Sequence, residues 1–468
     1  MATAIHSPRI LWLLTCFQFV VFATQKVLAF AAQDTCQHPA GLPSENSTHS
    51  YWHTEPSKIL LGHRSTEDLP ETADVVVIGS GIAGSFAARE LVDGGKDVLM
   101  LEAREACWGA TGRNGGHCKP SIYSAQAQVA RFELDTYNFL KDLVTENNIS
   151  CDWRSTGSVT SFYTEEQVEE AAKSLEELRK NDSSIADKVT LHTKPEDLAA
   201  LRLLNSPGAV SQDEGAKLWP YKLISWVLEE LLGHGSEKFN LQTNTPVMGL
   251  ERVGESWLLH TTRGDVVAKD VLLTTNAYTS HLLPRMKNLV YPVRAQVSAL
   301  EVTEDSIPLP HTHVWYVNEA ETDVYLIQRD VSETLILGGL RSTVPGAEEC
   351  ISDDDSVHPD ISDSLHRACA SALKLRPQGV PEEDELPSSM DWTGIMGFSA
   401  DGYPWVGPVP EALGGGEGLW VAAGYTGHGM PVAARAAMAA AQQILDKKGG
   451  IELPLEFVLS EERAKNLM

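Results

Sequence analysis

Residues 73–105 read ADVVVIGSGIAGSFAARELVDGGKDVLMLEARE. The β-branched run at 75–78 suits a central parallel strand. Gly79, Gly81 and Gly84 follow it at GxGxxG spacing. The first glycine allows a tight turn, the second lets a pyrophosphate approach the backbone, and the third lets the next helix close on the strand. Ala83, Ala87 and Ala88 keep that helix slim, and its N-terminus offers free N–H groups to phosphate. A second strand at 97–101 ends at Glu102, where a ribose-binding carboxylate belongs. Strand, glycines, small-residue helix, second strand and terminal acid together predict a dinucleotide site. The spacing alone does not choose between NAD and FAD.

Outward from this unit, the 468 residues are 43% hydrophobic, enough for a large core and two domains. Asp and Glu outnumber Lys and Arg by 64 to 37, a net charge of -27. A non-specific nucleic-acid binder needs the opposite balance. The acidic run at 164–180 reads as a solvated helix face. No metal-like Cys/His spacing is present, so no metal site is expected.

A few residues after Glu102 comes CWGATGRNGGHC (107–118), too glycine-rich for a regular element. The chain ends with DWTGIMGFSADGYPWVGPVP (391–410) and GLWVAAGYTGHGMPVAARAAMAAAQQIL (418–445). The latter reads as a strand, a turn through Gly424, Gly427 and Gly429, and an alanine-rich helix from about Pro431. These stretches resemble the D-amino-acid-oxidase-like family of FAD-dependent oxidoreductases. The likeness is greatest to the branch of gamma-glutamylputrescine oxidase and sarcosine oxidase, whose loops also read GA(S/T)GRNGG. The pattern DG(Y/L)P-x-(V/I)G is present as Asp401, Gly402, Tyr403, Pro404, Val406 and Gly407. The resemblance spans about residues 70–448.

The resemblance implies FAD. It carries Thr111, Arg113, Asn114, Gly115 and Gly116 over as cofactor contacts, with Val247 at the adenine and Gly424, Gly427, His428 and Gly429 near the flavin. Thr111 can bond phosphate oxygens; Arg113 can add positive charge or form an ion pair inside the fold. His117, beside Gly115 and Gly116, reads as a flavin hydrogen-bond partner, a covalent attachment point or a loop residue, and Cys118 as a second attachment point. His117, His428 and Tyr325 are the catalytic candidates. Trp315, Tyr316 and Gln328 join Tyr325 as candidate pocket residues. The implied activity is oxidation of a carbon–nitrogen bond in an amine or amino acid, by hydride transfer to flavin with oxygen as acceptor. A secondary-metabolite tailoring oxidase and a non-catalytic flavin-binding protein are the alternatives.

The chain departs from this pattern at three points. Sarcosine-oxidase-like relatives place a substrate-binding lysine after the GHG motif, but Met430, Pro431 and Val432 stand here. This favours an amine without an acidic group, unless Arg294, Arg329 or Arg341 receives a carboxylate. The strand expected at 334–339 lacks an oxygen-activating lysine. No cysteine lies at 391–394 for covalent flavin attachment.

The expected fold is α/β: a Rossmann-like FAD-binding domain from residues 71–125, 205–290 and 388–450, with an inserted, mainly antiparallel β-sheet substrate domain from 126–204 and 291–387. Helices are expected at 126–143, near Pro220 and at 363–374. A C-terminal tail covers 451–468. Residues 32–70 read as an extended lead-in rather than a core element. Ahead of them, LWLLTCFQFVVFATQKVLAFAA (11–32) makes residues 1–31 a signal peptide or, as second choice, a signal anchor. The secretory route that this implies would allow glycans at Asn46, Asn148 and Asn181 and disulfides among the cysteines.

Overall fold

The computed structural model describes residues 36–319 and 323–467; the apolar leader lies outside them. The strand Thr72–Ile78 forms the centre of an eight-stranded sheet. Its valines 75–77 are fully buried. It pairs in parallel with Val98–Leu101 on one side and Gly264–Leu273 on the other. Phe239–Gln242 and Leu419–Ala423 extend the parallel set outward. Five C-terminal strand ends thus converge at one edge, where open α/β sheets bind ligands.

The helices Ile82–Asp93 and Ala433–Ile444 pack together on this sheet. Ala83, Ala87 and Ala88 meet Ala433, Ala437 and Ala440 in one buried cluster, and the missing side-chain bulk permits the close approach. Gly84 has the same role in sharper form. A Cβ there would lie 1.9 Å from the Gly79 carbonyl oxygen.

A second eight-stranded sheet runs in the order Ser388–Ser399, Val290–Leu300, Leu335–Gly339, Asp323–Gln328, Thr312–Tyr316, Ser158–Ser161, Ala209–Gln212, Val189–His192. All neighbours are antiparallel except Thr312–Tyr316 with Ser158–Ser161. This is the expected inserted sheet, drawn from more of the chain than the sequence suggested. Ala209–Gln212 and Ser388–Ser399, both assigned to the dinucleotide unit, belong here. Ser388–Ser399 pairs with Val290–Leu300 along its length before the chain re-enters the first sheet at Trp405–Pro408. Conversely, the helix Ala127–Glu146, assigned to the substrate unit, packs on the first: Phe139 meets Phe86 and Phe132 meets Phe457.

Three other expectations need correction. The lead-in is part of the core: Trp52 is fully buried, and its carbonyl accepts a 2.8 Å bond from the Trp219 indole N–H. Cys36 is disulfide-bonded to Cys350. A Ser-, Thr- and His-rich stretch with no hydrophobic period conceals such single aromatic anchors. The acidic helix Glu165–Asn181 is solvated on one face only, because Val168, Ala171, Leu175 and Leu178 form a buried stripe at helical spacing. The helix expected at 363–374 runs Pro359–Arg367, with proline at its first turn.

Candidate active site

A cavity of about 400 Å³ lies between the converging strand ends and the second sheet. Its first half is built from the opening βαβ unit. Glu102 Oε2 accepts from the Ser80 amide at 3.0 Å and the Ser80 hydroxyl at 2.6 Å, and Oε1 accepts from the Arg104 amide at 3.0 Å. The carboxylate is thus oriented, 9% exposed, at the cavity wall. Its remaining lone pairs could accept two hydroxyls of a ribose. Gly81 begins the Ile82–Asp93 helix with no side-chain cap. The Ile82 amide donates to Thr111 Oγ1 at 3.1 Å. The Gly81 and Ala83 amides take no partner among the described residues and lie at the cavity, where they could hold phosphate oxygens. Val247, Leu42 and Pro43 supply apolar wall.

The second half is more polar and more composite. His117 lies at the end of the glycine-rich loop, in a two-residue strand paired with Ala216–Lys217. Its Nε2 is 2.7 Å from Thr312 Oγ1. Burial, reinforced by Lys119, pushes its imidazole down to about 3, so it is neutral at physiological pH. His428 Nε2 lies 2.8 Å from Glu133 Oε2 and 3.2 Å from Ser121 Oγ. Glu133 Oε2 also accepts from the Ser121 amide at 2.6 Å. The helix Ala433–Ile444 begins at this end without a side-chain cap, with Pro431 and Ala433 at the cavity. Its N-terminal field could stabilise negative charge there. Tyr425 also lines the cavity, and its buried hydroxyl has no partner among the described residues.

Most residues singled out in the sequence meet at this cavity. Gly79, Gly81, Glu102, Thr111 and Val247 line one half. Asn114, Gly115, His117, Tyr325, Gly427, His428 and Gly429 line the other, with Tyr316 beside them. Arg113 reaches the wall, but its guanidinium is held within the fold. Its Nε is 3.2 Å from Asp354 Oδ2 and donates to the Thr393 carbonyl at 2.6 Å, so of its two readings the internal ion pair is the one observed.

Gly84, Gly116 and Gly424 do not line the cavity. Gly84 serves helix packing. Gly116 adopts φ +66°, and a Cβ there would lie 2.6 Å from the Trp52 ring. Gly424 donates to Asn276 Oδ1 at 3.1 Å. Trp315 is packed into a separate core behind the second sheet, and Gln328 Oε1 accepts from the Leu309 amide. Cys118 is also absent from the wall, because alternation along its strand turns it into the main core, the buried cluster that also holds Trp52 and Val129. Its proximity to a bound flavin, expected from sequence, is therefore not supported.

The three arginines considered for a substrate carboxylate are all engaged outside the cavity. Arg294 pairs with Glu348 and Asp353, Arg329 with Asp152, and Arg341 with Glu349. Sequence reasoning missed Lys119, Asp323 and Glu133. Lys119 stands two residues beyond His117 and could have been noticed by continuing the loop's alternation. Nothing local marks the other two.

The cavity therefore offers an oriented carboxylate, unpartnered amides at a helix start, a second helix N-terminus and an unsatisfied tyrosine hydroxyl, which together suit an extended dinucleotide. A family profile described as FAD-dependent oxidoreductase matches residues 74–443. The chain is 24% identical to gamma-glutamylputrescine oxidoreductase of Escherichia coli over 404 residues, covering 82% of this chain and 85% of that protein. It is 25% identical to glycine oxidase of Bacillus subtilis over 347 residues, 72% of this chain and 85% of that one. The crystal structure of glycine oxidase from Geobacillus kaustophilus superposes with a TM-score of 0.68 at 21% identity, over 84% of this chain and 99% of that one. Sequence motifs, sheet topology and family match agree, and the chain belongs to the DAO family of FAD-dependent oxidoreductases.

Proposed function

We propose that the protein oxidises a carbon–nitrogen bond in an amine or amino acid, with molecular oxygen as electron acceptor. The observation that carries this reading is one cavity that joins a dinucleotide cradle to a wall of ionisable side chains from the second sheet and the central helices. Bound there, FAD supplies the hydride acceptor. Glu102 would receive its ribose hydroxyls and the Gly81 and Ala83 amides its phosphates, and Val247 would line the adenine end. The start of the Ala433–Ile444 helix favours electron density at the flavin end. The His428–Glu133–Ser121 cluster gives the substrate end a proton-accepting group. Gamma-glutamylputrescine oxidoreductase and glycine oxidase, among the relatives, act by name on amine and amino-acid substrates.

The test is direct. Flavin released from denatured protein identifies the cofactor. Anaerobic mixing with polyamines, N-methyl amino acids, and D- and L-amino acids should bleach the flavin absorbance, and peroxide should form when oxygen is readmitted. A flavin-replete protein that no amine or amino acid reduces would refute the activity, and protein without flavin after supplemented refolding would refute the cofactor assignment.

The secretory route is part of the same proposal. Its support is the Cys36–Cys350 disulfide, of a kind that persists in oxidising compartments, and the exposure of Asn46, Asn148 and Asn181. No helix among the described residues is long and apolar enough to cross a membrane. Intact mass of protein from its native host should show loss of about residues 1–31 and added glycan. A full-length, unglycosylated product would overturn the route, and a full-length glycosylated one would favour the anchor.

A further inference from the structure

Among the described residues three cations line the cavity: Arg104, Arg113 and Lys119. The two arginines share Asp354, at 2.9 and 3.2 Å. Lys119 has no carboxylate within ion-pair distance among the described residues. Its Nζ donates one hydrogen bond, 2.8 Å long, to Thr160 Oγ1. Lys119 is half-buried at the cavity wall, and an ammonium has three protons to donate, so a cation held there by one hydroxyl and no counter-ion is poorly compensated. Burial accordingly pushes Lys119 down to about 8, against the raising influence of Asp323 and Glu133, so it still carries its charge at neutral pH. Asp323 faces the same space, but burial raises its carboxyl, which weakens its competition for the ammonium.

The surroundings point to an incoming anion. Thr160 lines the cavity, and having accepted from Lys119 it keeps its own hydroxyl proton to give. The pair thus presents donors of two kinds to one point, a charged N–H and a neutral O–H, which matches the two oxygens of a carboxylate. Lys119 directly follows the glycine-rich loop and Thr160 belongs to the second sheet, so the subsite exists only where the two units meet. With Arg294, Arg329 and Arg341 engaged elsewhere, no other described cation is available to an acidic substrate in this cavity.

We propose that Lys119, with Thr160, receives the carboxylate of the substrate. The substrate class is then amino acids or N-substituted amino acids, not simple amines or diamines. This rests on the amine-oxidation reading above and narrows it. It also reverses the expectation drawn from the missing lysine after Gly429: the positive charge is present, but comes from the opposite part of the chain.

The test uses flavin-loaded protein and two readouts. In the first, acetate, propanoate and butanoate are titrated against the flavin absorbance spectrum, with butylamine as the control. The wild type should show a saturable shift with the carboxylates. Lys119→Met should bind them roughly 10- to 100-fold more weakly, the effect of losing a charged hydrogen bond, while Lys119→Arg retains binding. Thr160→Val should weaken binding several-fold, and it serves as the second variant if Lys119→Met fails to fold. In the second readout, anaerobic flavin reduction is compared for glycine and methylamine, sarcosine and dimethylamine, and alanine and ethylamine. The amino acid of each pair should be preferred, and Lys119→Met should erase the preference. Carboxylates that bind wild type and Lys119→Met equally, or do not bind wild type, would overturn the proposal. So would a Lys119→Met protein altered only in its reoxidation by oxygen. If no compound reduces the flavin, the oxidation reading fails, but the titration still decides the role of Lys119.

Discussion

The two ends of the cavity are built by different rules. At the Glu102 end every key group comes from one stretch of about 35 residues or from strand ends beside it, and the bonded polar atoms are oriented by partners within that same stretch. At the His428 end the groups come from five separated parts of the chain: Lys119, Glu133, Thr160, Asp323 and His428. At the first end the Glu102 carboxylate, the Ser80 hydroxyl and the Ile82 amide are already bonded, which fixes the Gly81 and Ala83 amides and the remaining Glu102 lone pairs toward the cavity. The second holds a lysine and an aspartate facing the cavity without an ion pair among the described residues. A cradle of the first kind binds a constant partner. Charges left uncompensated, as at the second end, are what a variable substrate can compensate.

The strongest way to break this contrast is at Gly84, which touches no cavity wall. Gly84→Val places side-chain atoms where even a Cβ would meet the Gly79 carbonyl at 1.9 Å, so helix and strand cannot close. Flavin content of the purified protein, read from absorbance near 450 nm, should fall roughly tenfold or more, with loss of soluble yield, as overpacking of a backbone contact requires. Stoichiometric flavin in this variant would mean that the cradle is less rigid than its geometry indicates.

A smaller effect is expected at Glu102. Glu102→Gln removes the charge and turns an amide N–H₂ toward one of the donors that now hold the carboxylate. FAD affinity, measured by fluorescence titration of refolded apoprotein, should drop roughly 10- to 100-fold. Unchanged affinity would remove Glu102 from the ribose site.

The other end can be probed through protonation. Burial pushes His53, His117 and His313 each down to about 3. The unfolded chain takes up these protons near pH 6.5, before the folded chain does. Their contribution is therefore complete above that pH and is lost as pH falls from 6.5 toward 3. The slope is about 1.4 kcal/mol per pH unit for each histidine. Urea denaturation at pH 7, 6 and 5 should show His117→Gln reducing the acid-side slope by one proton. An unchanged slope would place His117 in contact with water.

The smallest effect is expected one residue further on. Cys118→Ala should leave the flavin spectrum as it is and release flavin on denaturation just as the wild type does, because the thiol faces the main core rather than the cavity. Flavin that stays attached to denatured wild type but leaves the variant would contradict this placement.

The contrast also accounts for what could be read from the chain. GxGxxG with its strand and helix, the ribose acid 23 residues after Gly79, and the closing glycine turn are short-range patterns, set by turn geometry and helix packing within a few residues. Sequence therefore determined the α/β class, the dinucleotide cradle and the central strands of the inserted sheet, but not the membership of Ala209–Gln212 and Ser388–Ser399 in it. The reach of Trp52 from the lead-in was not legible. Nor was the choice by Arg113 of Asp354 over phosphate, the engagement of Arg294, Arg329 and Arg341, or the lack of an ion pair at Lys119. Only the tertiary structure decided these, because, the short-range Arg341–Glu349 pair apart, which charges meet across tens to hundreds of residues depends on sheet register and on how the two units dock, and no local spacing encodes either.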